Sequence, residues 1–87
     1  MSENAWKNTD VGPSIEELEI SCEKELPIEL TDKETGLDLW IIVKNISPVN
    51  RPGVIRHKIE GVTVNLNKEI EMYYTSPENI GLYCIKD

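Results

Sequence analysis

Apolar and polar residues alternate along most of the chain after residue 27, a pattern typical of β-strands that bury one face. The stretches "PIELT" and "LDLWIIVKN", separated by the turn-rich "DKETG", predict a hairpin. The second strand carries apolar residues on both faces, with Leu37, Leu39, Ile41 and Val43 on one and Trp40 and Ile42 on the other. It is therefore predicted to be a central strand that is covered on both sides.

A loop and four further strands are predicted in the rest of the chain. Residues 45–53, "NISPVNRPG", are predicted to form a long loop because two prolines and a glycine disfavour regular structure. The strands "VIRHKI" and "VTVNL" flank Glu60-Gly61, which is predicted to be a two-residue hairpin turn. The strands "EIEMYY" and "IGLYCIKD" are reached through a short turn at Asn67-Lys68 and a loop at "TSPEN". The predicted apolar faces consist of Val62, Val64 and Leu66 in one strand and Ile70, Met72 and Tyr74 in the next.

The segment "SIEELEISCEKELPIEL" fits two structures. Ser14 and Glu17 match the Ser-x-x-Glu capping box, and Ile15, Leu18, Cys22 and Leu26 form a stripe with helical spacing. The same residues also alternate as in a strand, with Leu18, Ile20 and Cys22 opposite charged neighbours. The strand-rich remainder favours a strand over residues 18–23, and a short helix near residues 14–25 is the alternative.

Together these elements predict a mainly β fold, a small antiparallel sandwich or barrel of five to seven short strands. The 87 residues suffice for one domain, which we place at residues 14–87. Residues 1–13 are polar and lack periodicity, which indicates a flexible N-terminal arm. Trp6 is the exception in the arm, and it either packs back on the domain or docks into another molecule.

Charge is distributed unevenly along the chain. The segment up to Val43 holds eleven acidic residues and three lysines, a net charge of −8, whereas the remainder holds five acidic and six basic residues, a net charge of +1. Direct binding to nucleic acid is not expected, because phosphate contacts require clustered basic residues. Residues 44–58 contain the only basic concentration, which is interpreted as ordinary edge-strand charge or as a loop complementary to an acidic surface.

Catalytic and cofactor chemistry is not expected either. The five glycines are isolated, so no phosphate-binding loop is predicted, and the single His57 lacks partners at metal-ligand spacing. Cys22 and Cys84 are interpreted as free buried thiols, with one bridge between them as the alternative. We therefore expect no enzyme activity, cofactor or metal. No apolar run is long enough for a membrane helix, and the N-terminus "MSENAWKNTD" does not have the order of a signal peptide.

Two functions are consistent with this sequence. The first is a structural or interaction module that docks onto a larger protein assembly, or onto a further copy of itself, through its arm and exposed loops. An arm with a small β domain resembles in outline the accessory and decoration proteins of phage particles, a resemblance of general shape only. The second is an acidic inhibitor that occupies a basic nucleic-acid-binding groove of a target enzyme. Either protein would be cytoplasmic or virion-associated. The candidate partner-binding residues are Trp6, Glu16, Glu17, Glu19, Arg51, Arg56 and Lys58.

Overall fold

Six antiparallel strands and one helix make up the computed structural model, which describes residues 6–51, 54–76 and 78–86, without the side chains of residues 50, 51, 54 and 55. The elements are β1 (Lys7–Asn8), α1 (Ile15–Lys24), β2 (Ile28–Thr31), β3 (Asp38–Arg51), β4 (Val54–Thr63), β5 (Glu69–Thr75) and β6 (Ile80–Ile85). The strands form one sheet in the order β1-β6-β5-β4-β3-β2, which curls into a half-barrel. The predicted mainly β fold of five to seven strands is thereby confirmed.

The core lies between the inner face of this sheet and α1. Alternate strand positions supply it, as the register shows: Ile59 of β4 lies opposite both Ile46 of β3 and Met72 of β5. The buried core consists of Leu18, Leu30, Ile41, Val43, Ile59, Ile70, Met72, Tyr74 and Tyr83. The predicted face of Ile70, Met72 and Tyr74 is thus confirmed. Each fully buried aliphatic side chain stabilises the fold by roughly 1.5–3 kcal/mol relative to an exposed one.

Residues 15–24 form a helix, so the strand favoured over residues 18–23 is wrong and the helical alternative is correct. The capping box is present: the hydroxyl oxygen of Ser14 accepts from the Glu17 amide at 3.2 Å, and the Glu17 carboxylate accepts from the Ser14 amide at 3.5 Å. Glu25 ends the helix in the left-handed conformation, with φ of 55°. The physical reason is tertiary, because the curled sheet exposes an apolar inner face that a helical stripe of apolar residues covers.

A buried serine joins α1 to the sheet. The hydroxyl of Ser21 donates to the Leu26 carbonyl at 2.6 Å and accepts from the Val43 amide at 3.1 Å. Val43 precedes a β-bulge, where the register between β3 and β4 shifts before Asn45. The helix therefore satisfies a buried amide at the point where the regular ladder is interrupted.

The long loop predicted for residues 45–53 is wrong over the part that the structure describes, because β3 continues to Arg51 and pairs with β4 from Val54. Pro48 is tolerated in this strand since β2 pairs only with residues 38–41, which leaves residues 45–51 at a sheet edge. At an edge, a proline removes no inter-strand hydrogen bond where its nitrogen faces solvent. Residues 52–53 of the predicted loop lie outside the described residues.

The turn predicted at Glu60-Gly61 is also wrong, because both residues lie within β4. A Cβ atom on Gly61 would lie 2.5 Å from the carbonyl oxygen of Ile42, so this glycine permits close backbone approach at the bulge. The predicted face of Val62, Val64 and Leu66 is wrong as well. β4 ends at Thr63, which is buried, and the next two apolar residues are exposed in the turn toward β5.

Part of the predicted N-terminal arm belongs to the sheet. β1 pairs with β6, and Thr9, next in the chain, forms an antiparallel bridge with Asp32 just beyond β2. Residues 7–10, which we call the closing segment, thus connect the two ends of the curled sheet. Thr9 is only 2% exposed, and its hydroxyl accepts from the Gly81 amide at 2.9 Å inside this junction. Residues 1–5 of the predicted arm lie outside the described residues.

Candidate functional site

The face of the sheet opposite α1, which we call the open face, carries side chains from the positions that alternate with the core. Contrary to the prediction for β3, this face is not fully covered, since Trp40 is 44% exposed. The register places Lys58 of β4 opposite Tyr73 of β5, and Tyr73 opposite Leu82 of β6. These residues form a row across three strands.

Trp6 lies on this row. Its ring centroid is 5.5 Å from that of Tyr73 with an interplanar angle of 41°, a tilted aromatic pair. The indole nevertheless remains 45% exposed. Trp6 therefore packs on the domain, which is one of the two alternatives drawn from the sequence, and nearly half of its side chain stays accessible.

Two of the predicted basic residues accompany this aromatic pair. Lys58 and Arg56 are two positions apart in β4 and point to the same face, where they lie opposite Tyr73 and Thr75. We call Trp6, Tyr73, Lys58 and Arg56 the aromatic-basic patch. Arg51 lies farther along the same hairpin, in β3, and its side chain is outside what the structure describes.

A carboxylate on the open face holds Lys58 in place. The Glu71 carboxylate lies 3.3 Å from the Lys58 ammonium and 3.8 Å from that of Lys86. The hydrogen bond and the charge of Glu71 raise the pKa of Lys58 above its usual value. The Lys58 charge is thus partly balanced, whereas Arg56 is exposed at the rim of the aromatic-basic patch.

The predicted acidic residues lie on a different surface. Glu16 and Glu19 are exposed on α1, on the side away from the core. With Ile20, which is 47% exposed, and Glu23 they follow the three- and four-residue spacing of one helix face. Glu17 is committed to the capping box with Ser14. The structure therefore brings Trp6, Arg56 and Lys58 together and separates them from the glutamates.

Two depressions border these surfaces. One, of about 330 Å³, lies near the bulge, and charged residues of both signs are part of its lining: Lys44, Glu60, Glu69, Glu71 and Lys86. The other, of about 460 Å³, runs along the outer edge of β2 between the segment at residues 11–13 and Trp40. We call the latter the edge groove.

Buried polar groups near the closing segment have structural partners. One carboxylate oxygen of Asp32 accepts from the amides of Glu34 and Thr35 at 2.9 and 2.8 Å, and the other accepts from the Tyr83 hydroxyl at 2.5 Å. The Tyr83 hydrogen bond is the main reason that the pKa of Asp32 falls to about 2. Burial raises the pKa of the Tyr74 hydroxyl to about 12, and this hydroxyl lies 2.7 Å from the Pro13 carbonyl oxygen. These groups stay in one protonation state near neutral pH.

The remaining candidate groups are dispersed. Cys22 packs against the core from α1 and is partly buried, whereas Cys84 is buried opposite Glu71 on the open face, and both are free thiols. His57 faces the inner side opposite Tyr74, and its buried Nδ1 atom has no hydrogen-bond partner among the described residues.

Within the described ranges no three His, Cys, Asp or Glu side chains converge as a metal site would require. No helix in that part of the chain is long and apolar enough to cross a membrane.

Two residues of these surfaces were not among the binding residues predicted from the sequence. They are Tyr73, which supports Trp6, and Trp40, which lines the edge groove. The alternation in "EIEMYY" already placed Tyr73 on the face opposite Tyr74, so a search for exposed aromatic residues on non-core faces would have found it. Trp40 was assigned to a covered face, although β3 is covered on one side only.

Comparison with protein families, with curated protein sequences and with solved structures finds no significant match to this chain.

Proposed function

We propose that this protein is a non-enzymatic interaction module that docks onto a larger protein assembly through the aromatic-basic patch. The observation that carries the proposal is the indole of Trp6, which is 45% exposed although it packs on Tyr73. An aromatic side chain that is already held in position loses little conformational entropy on binding. Tryptophan is also among the residues most enriched at interface hot spots.

The chemistry around Trp6 indicates the kind of surface it would contact. Arg56 and Lys58 border the aromatic pair on one side, so a partner with an apolar pocket and an acidic rim is complementary to it. Nucleic acid is less suited to this patch, because Glu71 balances Lys58 and the whole chain carries a net charge of −7. A protein partner is therefore favoured.

Such a module is comparable in outline to small accessory or decoration proteins of phage particles, and a cytoplasmic or virion-associated location would suit it. The exposed turn between β4 and β5, where Leu66 is 57% exposed, offers a secondary contact in this proposal. No step of the proposed function requires catalysis, a metal or a cofactor.

A specific observation favours the second candidate, an acidic inhibitor of a nucleic-acid enzyme. Glu16, Glu19 and Glu23 occupy one exposed face of α1, where they would meet a basic groove. This helix spans ten residues, however, and offers only a short row of charges. The interaction module therefore ranks first.

The test is affinity capture with the tagged full chain at low and high salt, followed by mass spectrometry and quantification of stoichiometric partners. We expect a protein component that stays bound at high salt and whose affinity falls about tenfold or more in Trp6→Ala, the typical loss at an aromatic hot spot. Leu37→Ala removes an exposed apolar side chain that belongs to none of the proposed contacts and serves as the matched control.

Two results would contradict the proposal. If the partner binds Trp6→Ala as tightly as the unmodified protein, the aromatic-basic patch is not the docking surface. If the captured component is a nucleic-acid enzyme that is released by salt and by Glu16→Lys with Glu19→Lys, the acidic inhibitor is correct instead.

A further inference from the structure

The edge groove lies where the curled sheet fails to close. Residues 8–10 follow the end of β2 as an antiparallel neighbour: the Asp10 amide donates to the Thr31 carbonyl at 2.9 Å, and the Lys33 amide donates to the Asn8 carbonyl at 3.0 Å. Beyond Asp10 the chain bends away through residues 11–13 toward α1. A gap of about 460 Å³ remains between this bend and the rest of β2.

The backbone of β2 offers hydrogen-bonding groups to this gap. In an antiparallel pair, successive residues of a strand point their amide and carbonyl groups alternately toward and away from the partner strand. The Thr31 carbonyl points away from β3, since it accepts from Asp10. Glu29 lies two residues earlier and thus directs its amide and carbonyl groups outward as well. Among the described residues, no main-chain group of residues 8–13 bonds to Glu29.

The side chains around this edge are apolar or acidic. Val11, Pro13 and Ile28 line the groove together with Trp40, which is 44% exposed. The charged side chains in its lining are Glu17 and Glu29, and the described lining contains no basic residue. Glu29 lies directly opposite Trp40 in the β2–β3 register, so the two side chains are neighbours on the same face of the sheet.

We propose that the edge groove binds an extended basic peptide segment of a partner protein by strand addition to β2. The peptide backbone would bond to the outward groups of Glu29 and to the Thr31 amide. Alternate lysine or arginine side chains would lie on Trp40 beside the Glu29 carboxylate, where cation–π and charge attraction act together. The intervening apolar side chains would contact Val11 and Ile28.

Charge complementarity selects this occupant over a second copy of the chain. Two β2 edges placed side by side would bring Glu29 and Glu17 of both copies into the same groove, and like charges directly opposite each other destabilise strand pairing. The described lining of the groove comes from residues 11–40, which belong to the acidic part of the sequence. The edge groove is separate from the aromatic-basic patch. A negative result for peptide binding would therefore not affect the proposed docking function, and the reverse also holds.

The test uses a fluorescent hexapeptide that alternates lysine and valine, titrated into the full chain by anisotropy and by amide NMR spectroscopy. Two further peptides are compared, one with glutamate in place of lysine and one N-methylated at alternate residues to block strand pairing. The variants are Trp40→Ala and Glu29→Lys, and Glu60→Lys reverses an exposed glutamate in β4 as the matched control. Circular dichroism verifies that each variant is folded.

We expect saturable binding of the lysine peptide, with the largest shifts at the Glu29 and Thr31 amides. Trp40→Ala, Glu29→Lys and N-methylation should each weaken binding about tenfold or more, whereas Glu60→Lys should change it less than twofold. The proposal is overturned if the glutamate peptide binds equally well or if N-methylation has no effect, which would indicate charge attraction alone. Shifts confined to other strands, no binding, or self-association through β2 in place of peptide binding would overturn it as well.

Discussion

Asp32 is the residue on which several parts of the fold converge. It is 6% exposed, bridges to Thr9 through the backbone, and accepts from the Tyr83 hydroxyl and from two amides of the β2–β3 turn. One carboxylate thus organises a turn and connects β2 to β6. A buried carboxylate is tolerated here because each of its oxygens accepts hydrogen bonds.

This arrangement predicts an acid-dependent loss of stability. The folded pKa of Asp32 is about 2, below its usual value of 3.8, so between these values the unfolded chain binds more protons and stability falls as the pH is lowered. The Asp32 contribution is therefore complete above about pH 4 and is lost as the pH passes through 2. Tyr83→Phe removes the main cause of the shift, so the folded pKa of Asp32 should move toward the unfolded value and the loss of stability between pH 4 and 2 should become smaller. Urea unfolding monitored from pH 2 to 7 measures this difference.

Glu29→Gln, which removes an exposed carboxyl group, is the control and should lose as much stability at low pH as the unmodified protein. The role of the Tyr83 hydrogen bond would be refuted if Tyr83→Phe also lost as much stability between pH 4 and 2 as the unmodified protein.

At the scale of elements, α1 is the part whose structure depends most on its surroundings. Its apolar stripe and its buried serine point toward the inner face of the sheet. The Ser21 hydroxyl lies between two backbone groups, the Leu26 carbonyl after the helix and the Val43 amide at the bulge. Helix and bulge therefore stabilise each other.

Ser21→Ala should destabilise the protein by about 1–3 kcal/mol, the usual cost of leaving a buried donor without its acceptor. The reason is that the Val43 amide would lose its partner where the β3–β4 ladder is shifted. The free energy of unfolding in urea is the measurement, with Ser47→Ala in the same sheet as the control, expected within about 0.5 kcal/mol of the unmodified protein. Equal stability of the two variants would show that α1 and the bulge are not coupled through Ser21.

At the scale of the whole molecule, the closing segment joins the two ends of the curled sheet. Residues 7–10 bond to β6 on one side and to the end of β2 on the other, and these two strands are separated by the rest of the sheet. The acidic residues of α1 and the aromatic-basic patch lie on opposite sides of the sheet. The uneven distribution of charge along the sequence thus places the glutamates of α1 and the basic residues of the patch on different surfaces.

Thr9→Val should destabilise the closing segment, because the Gly81 amide loses the hydroxyl oxygen that accepts from it at 2.9 Å. We expect a loss of about 1–3 kcal/mol in unfolding free energy. Amide hydrogen exchange should accelerate at Gly81 and Lys33, which lie on either side of the segment, more than at Ile59 in the central strand. Uniform acceleration at all three amides would indicate global destabilisation without a distinct closing segment.

The sequence by itself determined the strand-rich class, the face of Ile70, Met72 and Tyr74, and the capping signal at Ser14 and Glu17. These features depend on local periodicity and on contacts three residues apart, which a linear sequence displays directly. It also placed Trp6, Arg56 and Lys58 among the candidate binding residues, since exposed aromatic and basic residues stand out in an acidic chain.

Only the tertiary structure decided which alternatives were realised. Residues 18–23 are compatible with a helix and with a strand, and they form a helix because its apolar stripe covers the inner face of the sheet. Glu60-Gly61 lies within a strand because the bulge brings the Ile42 carbonyl close to Gly61. The closing of the sheet by residues 7–10, the uncovered side of β3 and the edge groove all result from pairing between residues far apart in sequence. Local pattern fixes what a segment can form, and long-range pairing selects the form that buries the most apolar surface with its backbone groups bonded.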